Sequence, residues 1–304
     1  MTRKSLPARI AGCWQLYVML ALPLLYIVVF AYVPIFGIQI AFRDFTIRGG
    51  IWNSPWVGMK YFIKFFESYK FWEIVKNTIF LSVYNIVASM PIPLILALAL
   101  NVVRVRWYRK TIQMLSYMPN FISTVVMVSI LLRVFSPRVG LYAQICEALG
   151  VRPVDLFGLP SAFRHMYVWS GVWQKAGWNT IMYLAALAAV DPELHEAAIV
   201  DGATRLQRVR HIDLPVVIPT ATILLILAVG QMMSIGFEKV FLMQNSLNLS
   251  TSEIISTYVY KVGLTGNMDY SYSTAINFFN SIINFVLILS VNAVVRTMNG
   301  TNLF

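Results

Sequence analysis

The stretch that decides the fold is DPELHEAAIVDGATRLQRVRHIDLP, residues 191–215, a densely charged segment that lies between two apolar runs. Asp191 is a suitable N-cap for a helix whose first residue is Pro192, where a missing N–H does no harm. Gly202 is suited to ending that helix, because glycine readily adopts a left-handed backbone. A second short helix is predicted to end before Pro215. The segment therefore predicts a helix, a bend and a second helix between two apolar spans.

The apolar runs on either side belong to a chain suited to a membrane. Of its 304 residues, 58% are hydrophobic and only 12% are charged, and the mean hydropathy is +0.68. A soluble globule of this size would expose too much apolar surface. Runs of about 20 residues can cross a bilayer as helices. We predict an all-α membrane protein, a single domain over residues 1–304 with about six transmembrane helices at 14–42, 77–103, 111–132, 166–190, 214–237 and 270–295.

Basic residues predict the orientation of these helices. The net charge is +11, which in a membrane protein reflects anchoring of cytoplasmic loops rather than nucleic-acid binding. The first run exceeds the apolar core of a signal peptide and lacks an obvious cleavage site, so we expect an uncleaved first span. Both termini and residues 191–215 are predicted to be cytoplasmic from the basic residues Arg3, Lys4, Arg9, Arg104, Arg106, Arg109, Lys110, Arg205, Arg208, Arg210 and Arg296.

The motifs do not favour an enzyme or a metal protein. His195 and Glu196 begin the zinc-protease pattern H-E-x-x-H, but Ile199 stands where the second histidine is required. No G-x-S-x-G nucleophile elbow occurs in the sequence. The predicted topology separates Cys13 from Cys146, which excludes a disulfide between them. We therefore predict no catalytic residue and no metal site.

The segment 191–215 also carries a motif. Glu196-Ala-Ala is followed by Gly202 after three residues and by Ile212-x-Leu214-Pro215 after nine more. This spacing resembles the EAA loop of the permease subunits of bacterial ABC importers, and we call residues 191–215 the EAA loop. Less specific segments extend the resemblance over nearly the whole chain, to oligosaccharide and polysaccharide importers and, within them, to alginate importers: 37–42, 117–124, 236–240 and 270–276.

The resemblance implies several partners in the bacterial inner membrane. These are a second homologous permease, two cytoplasmic ATPases that receive the EAA loops, an extracytoplasmic solute-binding protein, and an oligo- or polysaccharide substrate. The chain has no G-x-x-x-x-G-K-[ST] loop, so ATP and Mg would bind to the ATPases and no cofactor to this chain. The residues that the resemblance links to ATPase coupling are Glu196, Ala197, Ala198, Asp201, Gly202, Ile212, Leu214 and Pro215.

Polar residues inside the apolar runs are candidates for the substrate path. A charge such as Lys175 within a span is by default a functional hypothesis; the alternative is that Lys175 extends to the headgroups. Asn277, Asn280 and Asn284 fall within an arc of about 60° on a helix, so they face either the path or neighbouring helices. The candidates are Gln174, Lys175, Trp178, Asn179, Gln231, Asn277, Asn280 and Asn284, with Asn85 and Ser234 as weaker ones.

The predicted outer segments bear on the choice of ligand. Residues 61–72 interleave aromatic and basic side chains at roughly helical spacing. This pattern favours an amphipathic helix at the membrane interface over a docking site for the binding protein. The surplus of outer basic residues would suit an acidic polymer such as alginate by electrostatic attraction.

Two other classes of membrane protein stay open on these patterns. A self-contained secondary transporter for a small solute would also have helices and an intramembrane charge. It usually shows inverted repeats and acidic residues within its spans, and neither is evident. A purely structural anchor would need no row of asparagines in 270–295. Dependence of transport on ATP and partner chains distinguishes the importer from both.

Overall fold

The computed structural model describes residues 14–266 and 268–299, with side chains up to Arg296. The only β feature in this part of the chain is an isolated bridge between Arg43 and Trp56. The α-helices are α1 Trp14–Ile27, α2 Gly50–Asn53, α3 Lys60–Phe66, α4 Phe71–Ser89, α5 Pro91–Val102, α6 Arg106–Tyr117, α7 Thr124–Val134, α8 Leu141–Ala148, α9 Pro160–Leu187, α10 Pro192–Val200, α11 Arg205–Arg208, α12 Leu214–Gly230, α13 Phe237–Met243, α14 Leu249–Ser252, α15 Ile255–Tyr260 and α16 Tyr270–Asn299.

This architecture matches the all-α prediction. Cys146 is a free thiol. The predictions for the two termini and for Arg3, Lys4, Arg9 and Cys13 lie outside the described residues.

The described chain forms two compact units. One comprises residues 14–67, 262–266 and 268–278, and the other comprises 68–261 and 279–299. In the second unit α9 is the central helix, in contact with α4, α5, α6, α12 and α14. One buried apolar cluster includes Phe163 and Val168 of α9, and another includes Tyr183 and Leu187. The predicted path residues of α9 lie between these two clusters in sequence.

Within the described residues, four helical segments are long and apolar enough to cross a membrane: Trp14–Phe42, Phe71–Val102, Arg205–Gly230 and Tyr270–Arg296. A fifth results if the bent pair formed by α6 and α7 is one span. The predicted span 166–190 lies mostly in α9, whose 28 residues would extend for about 42 Å. The helix α9 is not among the apolar segments because it carries Arg164, Lys175 and other polar residues. The sixth span therefore stays a prediction.

The predicted span 111–132 is not one straight helix. α6 and α7 meet at 98°, on either side of the 3₁₀ turn Met118–Phe121. Pro119 lies in this turn and has no N–H with which to continue the hydrogen bonds of α6. Ser123 then caps α7 by accepting a hydrogen bond from the N–H of Val126 at 3.3 Å. An uncharged run of sequence does not reveal such a break.

The second helix of the EAA loop does not end before Pro215, so this prediction was wrong. α11 continues through the π turn Val209–Asp213 into α12, and Arg205–Gly230 is one helical segment of 26 residues. A proline inside a helix lacks an N–H and crowds the preceding turn. The wider π turn directly before Pro215 is a local adjustment of the backbone that lets the helix continue.

The basic and aromatic segment 61–72 is not a single amphipathic helix. α3 ends at Phe66 and α4 begins at Phe71. The exposed fractions of Phe62 and Phe65 on α3 are only 5% and 1%. One side of α3 is therefore covered by protein, while Ile63 and Phe66 of the same helix are 53% and 48% exposed.

Four of the predicted outer basic residues in the described chain are paired with carboxylates: Lys60, Lys64, Lys70 and Lys261. Lys60 lies 3.2 Å from Asp44 and Lys64 lies 2.9 Å from Asp269. Tyr61 also donates a hydrogen bond to Asp44 at 2.7 Å. The hydrogen bonds from Tyr61 and Lys60 hold the pKa of Asp44 below its usual value, and burial together with the bond to Asp44 raises the pKa of Tyr61 to about 12. These pairs weaken the attraction that the outer surplus would exert on an acidic polymer.

Candidate functional site

The first helix of the EAA loop is shaped by contacts between near neighbours in sequence. Asp191 caps α10 by accepting a hydrogen bond from the N–H of Glu193 at 3.0 Å. At the other end Gly202 has a left-handed backbone with φ of +75°. The N–H of Ala203 donates to the carbonyl of Ala198 at 2.8 Å, which is the closure typical of a helix that ends at glycine. The predicted cap and bend are both confirmed.

Most residues that the resemblance links to ATPase coupling lie at the surface. Glu196 and Ala197 are exposed and Ala198 is half-buried. Beside them, the side chain of Val200 is 87% exposed. An apolar side chain next to an exposed carboxylate suits contact with another protein. Of the remaining coupling candidates, Asp201, Gly202 and Pro215 are exposed, while Ile212 and Leu214 are half-buried.

Three polar side chains join the two helical parts of the EAA loop to each other and to α5. Asp213 is 1% exposed, and its Oδ1 lies 3.2 Å from Nε2 of His195 on α10. The same oxygen accepts a hydrogen bond from Nδ2 of Asn101, near the end of α5, at 3.1 Å. Sequence reasoning missed this cluster because Asn101 is distant in the chain. The one signal that could have found it was a carboxylate at the start of an apolar run.

A second cap fixes the far end of the bend. The N–H of Gln207 donates to Oγ1 of Thr204 at 3.3 Å, and the N–H of Thr204 donates to Oε1 of Gln207 at 2.7 Å. This reciprocal capping box begins α11. Because α11 continues into α12, the cap also fixes the start of the helical segment that ends at Gly230.

A polar cavity of about 440 Å³ lies among α4, α9 and the turn between α12 and α13. It brings together the predicted path residues Gln174, Lys175, Asn179 and Gln231. The weaker candidates Asn85 and Ser234 also line it. Sequence reasoning did not identify the other polar residues of the wall, which are Ser82, Ser89, Thr124, Tyr167, Glu238 and Lys239.

Two asparagines of α16 make hydrogen bonds to the turn that forms one wall of the polar cavity. The Nδ2 groups of Asn284 and Asn280 donate to Oγ of Ser234 at 2.7 and 3.4 Å. Oδ1 of Asn284 accepts from the N–H of Met233 at 2.9 Å. These are the contacts expected if the asparagines join neighbouring helices. Asn277 is exposed, and contact of any of the three with substrate stays a prediction.

Gln174 and Trp178, both on α9, differ in their surroundings. Gln174 is buried and donates from Nε2 to the carbonyl of Ile122 at 2.7 Å, which satisfies a backbone group at the break between α6 and α7. Trp178 is 46% exposed and lies edge-on to Phe121, with ring centroids 5.9 Å apart. Trp178 is not among the residues that line the polar cavity, so its contact with a sugar stays a prediction.

Lys239 is the most buried charge of the polar cavity. Its side chain lies on α13 with only 8% of the residue exposed. Nζ donates to the carbonyl of Tyr167 at 2.6 Å and lies 4.7 Å from the centre of the Tyr167 ring. The charged pair Glu238-Lys239 was the sequence signal that could have revealed this residue. The segment 236–240 that contains it was used only as part of the family resemblance.

Residues 77–300 match the protein family described as the binding-protein-dependent transport system inner membrane component. The chain belongs to this family. It is 41% identical over 289 residues to Protein LplB of Bacillus subtilis, covering 95% of this chain and 91% of that protein. It is 37% identical over 302 residues to the polygalacturonan/rhamnogalacturonan transport system permease protein YteP of the same bacterium, covering 99% and 94%.

Solved structures share the fold. The chain matches the crystal structure of a bacterial ABC transporter involved in the import of the acidic polysaccharide alginate with a TM-score of 0.89 and 34% identity, covering 97% of this chain and 100% of the solved chain. A structure of a bacterial alginate ABC transporter in complex with an alginate pentasaccharide-bound periplasmic protein gives the same TM-score and identity, covering 99% and 100%. The ABC importer permease fold predicted from the EAA loop is confirmed.

Membership of the family determines the class of protein. The chain is an integral membrane permease of an ABC importer that works with a binding protein, and it is not an enzyme. Transport is driven by ATP, which is hydrolysed on separate subunits. A self-contained secondary transporter is not favoured.

Proposed function

We propose that this chain forms, with a second homologous permease, the path of an oligo- or polysaccharide across the bacterial inner membrane. The observation that carries the proposal is the polar cavity, where amide and hydroxyl groups of α4, α9 and the α12–α13 turn surround about 440 Å³. Polar groups within membrane helices are costly unless they serve a partner or a function, and sugars offer hydroxyl groups to such side chains. The similarity to a permease of an alginate importer supports an acidic substrate such as alginate.

The EAA loop is the proposed contact with two cytoplasmic ATPases, which would hold ATP and Mg. Glu196 is exposed and would pair with a basic residue of the ATPase. Ala197 and Ala198 would permit close approach, and Gly202 sets the bend. The remaining contributors to coupling are Asp201 beside the bend and Ile212, Leu214 and Pro215, which lead into α12.

Movement of the ATPases would reach the membrane through the contacts of α10. The contact of His195 with Asp213 joins α10 to the long helical segment Arg205–Gly230. The two permeases would then alternate between outward-open and inward-open states, which differ in their contacts with the ATPases. In this arrangement one transmembrane permease domain spans residues 1–304, both termini are cytoplasmic, and an extracytoplasmic solute-binding protein delivers the sugar.

The test is ATP hydrolysis and uptake by the complex reconstituted in liposomes with its second permease, ATPases and binding protein. Neutral and acidic oligosaccharides of matched length are compared. We expect acidic oligosaccharides to stimulate hydrolysis and to enter only with ATP. Uptake driven by an ion gradient without ATP would overturn the coupling assignment. Stimulation by neutral sugars alone would overturn the acidic substrate.

A further inference from the structure

Two amines face the polar cavity without a carboxylate to neutralise them. Lys175 and Lys239 both line it. Within residues 14–266 and 268–296, neither Nζ lies within 4.0 Å of a carboxylate oxygen. Glu238 lines the same cavity but does not pair with either amine. The wall therefore holds two basic amines without an internal counterion.

Neighbouring groups fix the position of the Lys239 amine. Its Nζ is held by the carbonyl and the ring of Tyr167, neither of which carries a formal negative charge. Gly171 makes room for it, because a Cβ at that position would lie 3.0 Å from the Nζ. A buried ammonium that has a carbonyl but no anion is costly. A cavity that keeps such a group is suited to a ligand that brings the negative charge.

We propose that Lys239 and Lys175 form a carboxylate-binding subsite for uronate residues of the translocated polysaccharide. This inference rests on the proposed function and names the groups that select its substrate. Lys239 is the fixed anchor, and Lys175, whose side chain is exposed, reaches the carboxylate from the open side. Asn179 and Gln231 line the same space and supply hydrogen bonds for the hydroxyl groups of the ring.

The pair also suits passage rather than permanent retention. Each uronate of a polymer repeats the same carboxylate, so successive residues can exchange on the two amines as the chain advances. The contact between each amine and a carboxylate is a charge-assisted hydrogen bond, which is stronger than a bond between neutral groups. Neutral sugars would gain only the amide and hydroxyl contacts.

The experiment measures the ratio of acidic to neutral uptake in the reconstituted complex. An acidic oligosaccharide is compared with the same compound after reduction of its carboxylates to alcohols. In Lys239→Gln we expect this ratio to fall about tenfold or more, since one charge-assisted bond is lost. Lys175→Gln should lower the ratio less, because its side chain is exposed. Lys239→Arg should restore most of the ratio.

The matched control is Lys76→Gln, which removes one exposed lysine that faces the Trp72 ring instead of the cavity. It should leave the ratio unchanged. The binding protein is the same in every assay, so a changed ratio reports on the permease. An equal loss of acidic and neutral uptake in Lys239→Gln, or an unchanged ratio in both glutamine variants, would overturn the subsite. If Lys239→Gln does not assemble with its partners, the ratio of acidic to neutral uptake in Lys175→Gln tests the subsite instead.

Failure of the subsite and failure of the proposed function give different results. A wild-type complex that hydrolyses ATP without stimulation by any oligosaccharide contradicts the proposed sugar path. A wild-type complex that imports the acidic oligosaccharide, with variants of unchanged ratio, contradicts only the role of Lys239 and Lys175.

Discussion

The EAA loop and the polar cavity are built in different ways. The loop takes its shape from neighbours in the chain: Asp191 caps α10 two residues away, and Gly202 closes it. The cavity draws its wall from side chains as far apart as Ser82 and Lys239. A structure made of local contacts keeps its shape as one piece and can be moved by a partner. A structure assembled from several helices can open or close when those helices shift.

Replacing Gly202 with valine should have the largest effect, because it changes the bend of the EAA loop itself. A β-branched residue at φ of +75° costs about 1–2 kcal/mol, and the bend would relax toward a different angle. We expect ATP-driven uptake to fall about tenfold or more while the complex still assembles. Uptake is measured in liposomes beside the amount of bound ATPase.

Asparagine is the matched control at this position, because it tolerates the left-handed region better than other residues with a side chain. Gly202→Asn should keep most of the uptake. Normal uptake by Gly202→Val would show that the bend angle does not matter for coupling.

Loss of the Asp213 carboxylate should have the next largest effect. Asp213→Ala leaves His195 and Asn101 without their shared acceptor, and an unsatisfied buried group costs about 1–3 kcal/mol. We expect a lower melting temperature and fewer sugars imported for each ATP hydrolysed. Asp213→Asn keeps an acceptor oxygen and should lose less. Equal sugar-to-ATP ratios in wild type and Asp213→Ala would show that the contacts of Asp213 with His195 and Asn101 do not contribute to coupling.

A smaller effect is expected at the wall of the cavity. Ser234→Ala removes the hydroxyl that accepts hydrogen bonds from Asn280 and Asn284. Hydrogen bonds between membrane helices contribute about 0.6 kcal/mol on average. Thermal unfolding of the purified complex should shift down slightly, with the sugar-to-ATP ratio unchanged. A strong loss of uptake without loss of stability would instead place Ser234 in contact with the sugar.

Trp178→Phe should have the smallest effect. The ring lies outside the polar cavity and touches Phe121, and phenylalanine keeps an aromatic group there. We expect uptake to change less than about twofold, which is about 0.4 kcal/mol. A larger loss for acidic and neutral sugars alike would indicate that sugar rings stack on Trp178 when the permease opens.

The sequence allowed much of the EAA loop to be predicted and little of the cavity. Asp191, Pro192 and Gly202 act through their own backbone, so their roles can be recognised without knowing the fold. Lys239 contacts Tyr167, which lies on a different helix, and no spacing rule reveals that contact. Gln174, Lys175 and Asn179 were found because polar groups are conspicuous in a long apolar run. Their convergence with Gln231 needed the packing of α9 against α12.

The breaks in the helices show a related limit. Length and apolarity predicted the span 111–132 but not the 98° bend within it, since Pro119 and the cap at Ser123 act below the scale of a hydropathy window. At Pro215 the reverse error occurred, because a proline that usually ends a helix was accommodated by the π turn Val209–Asp213.

That continuous segment gives the permease a mechanical lever. Arg205–Gly230 has 26 residues and so extends for about 39 Å. It begins three residues after the Gly202 bend, and the residue that follows its end, Gln231, lines the polar cavity. A tilt imposed at Arg205 must displace Gln231 at the same moment, unless the rod flexes near Pro215. The stiffness of the π turn before Pro215 would therefore determine how much of a displacement imposed by the ATPases is lost before it reaches the sugar.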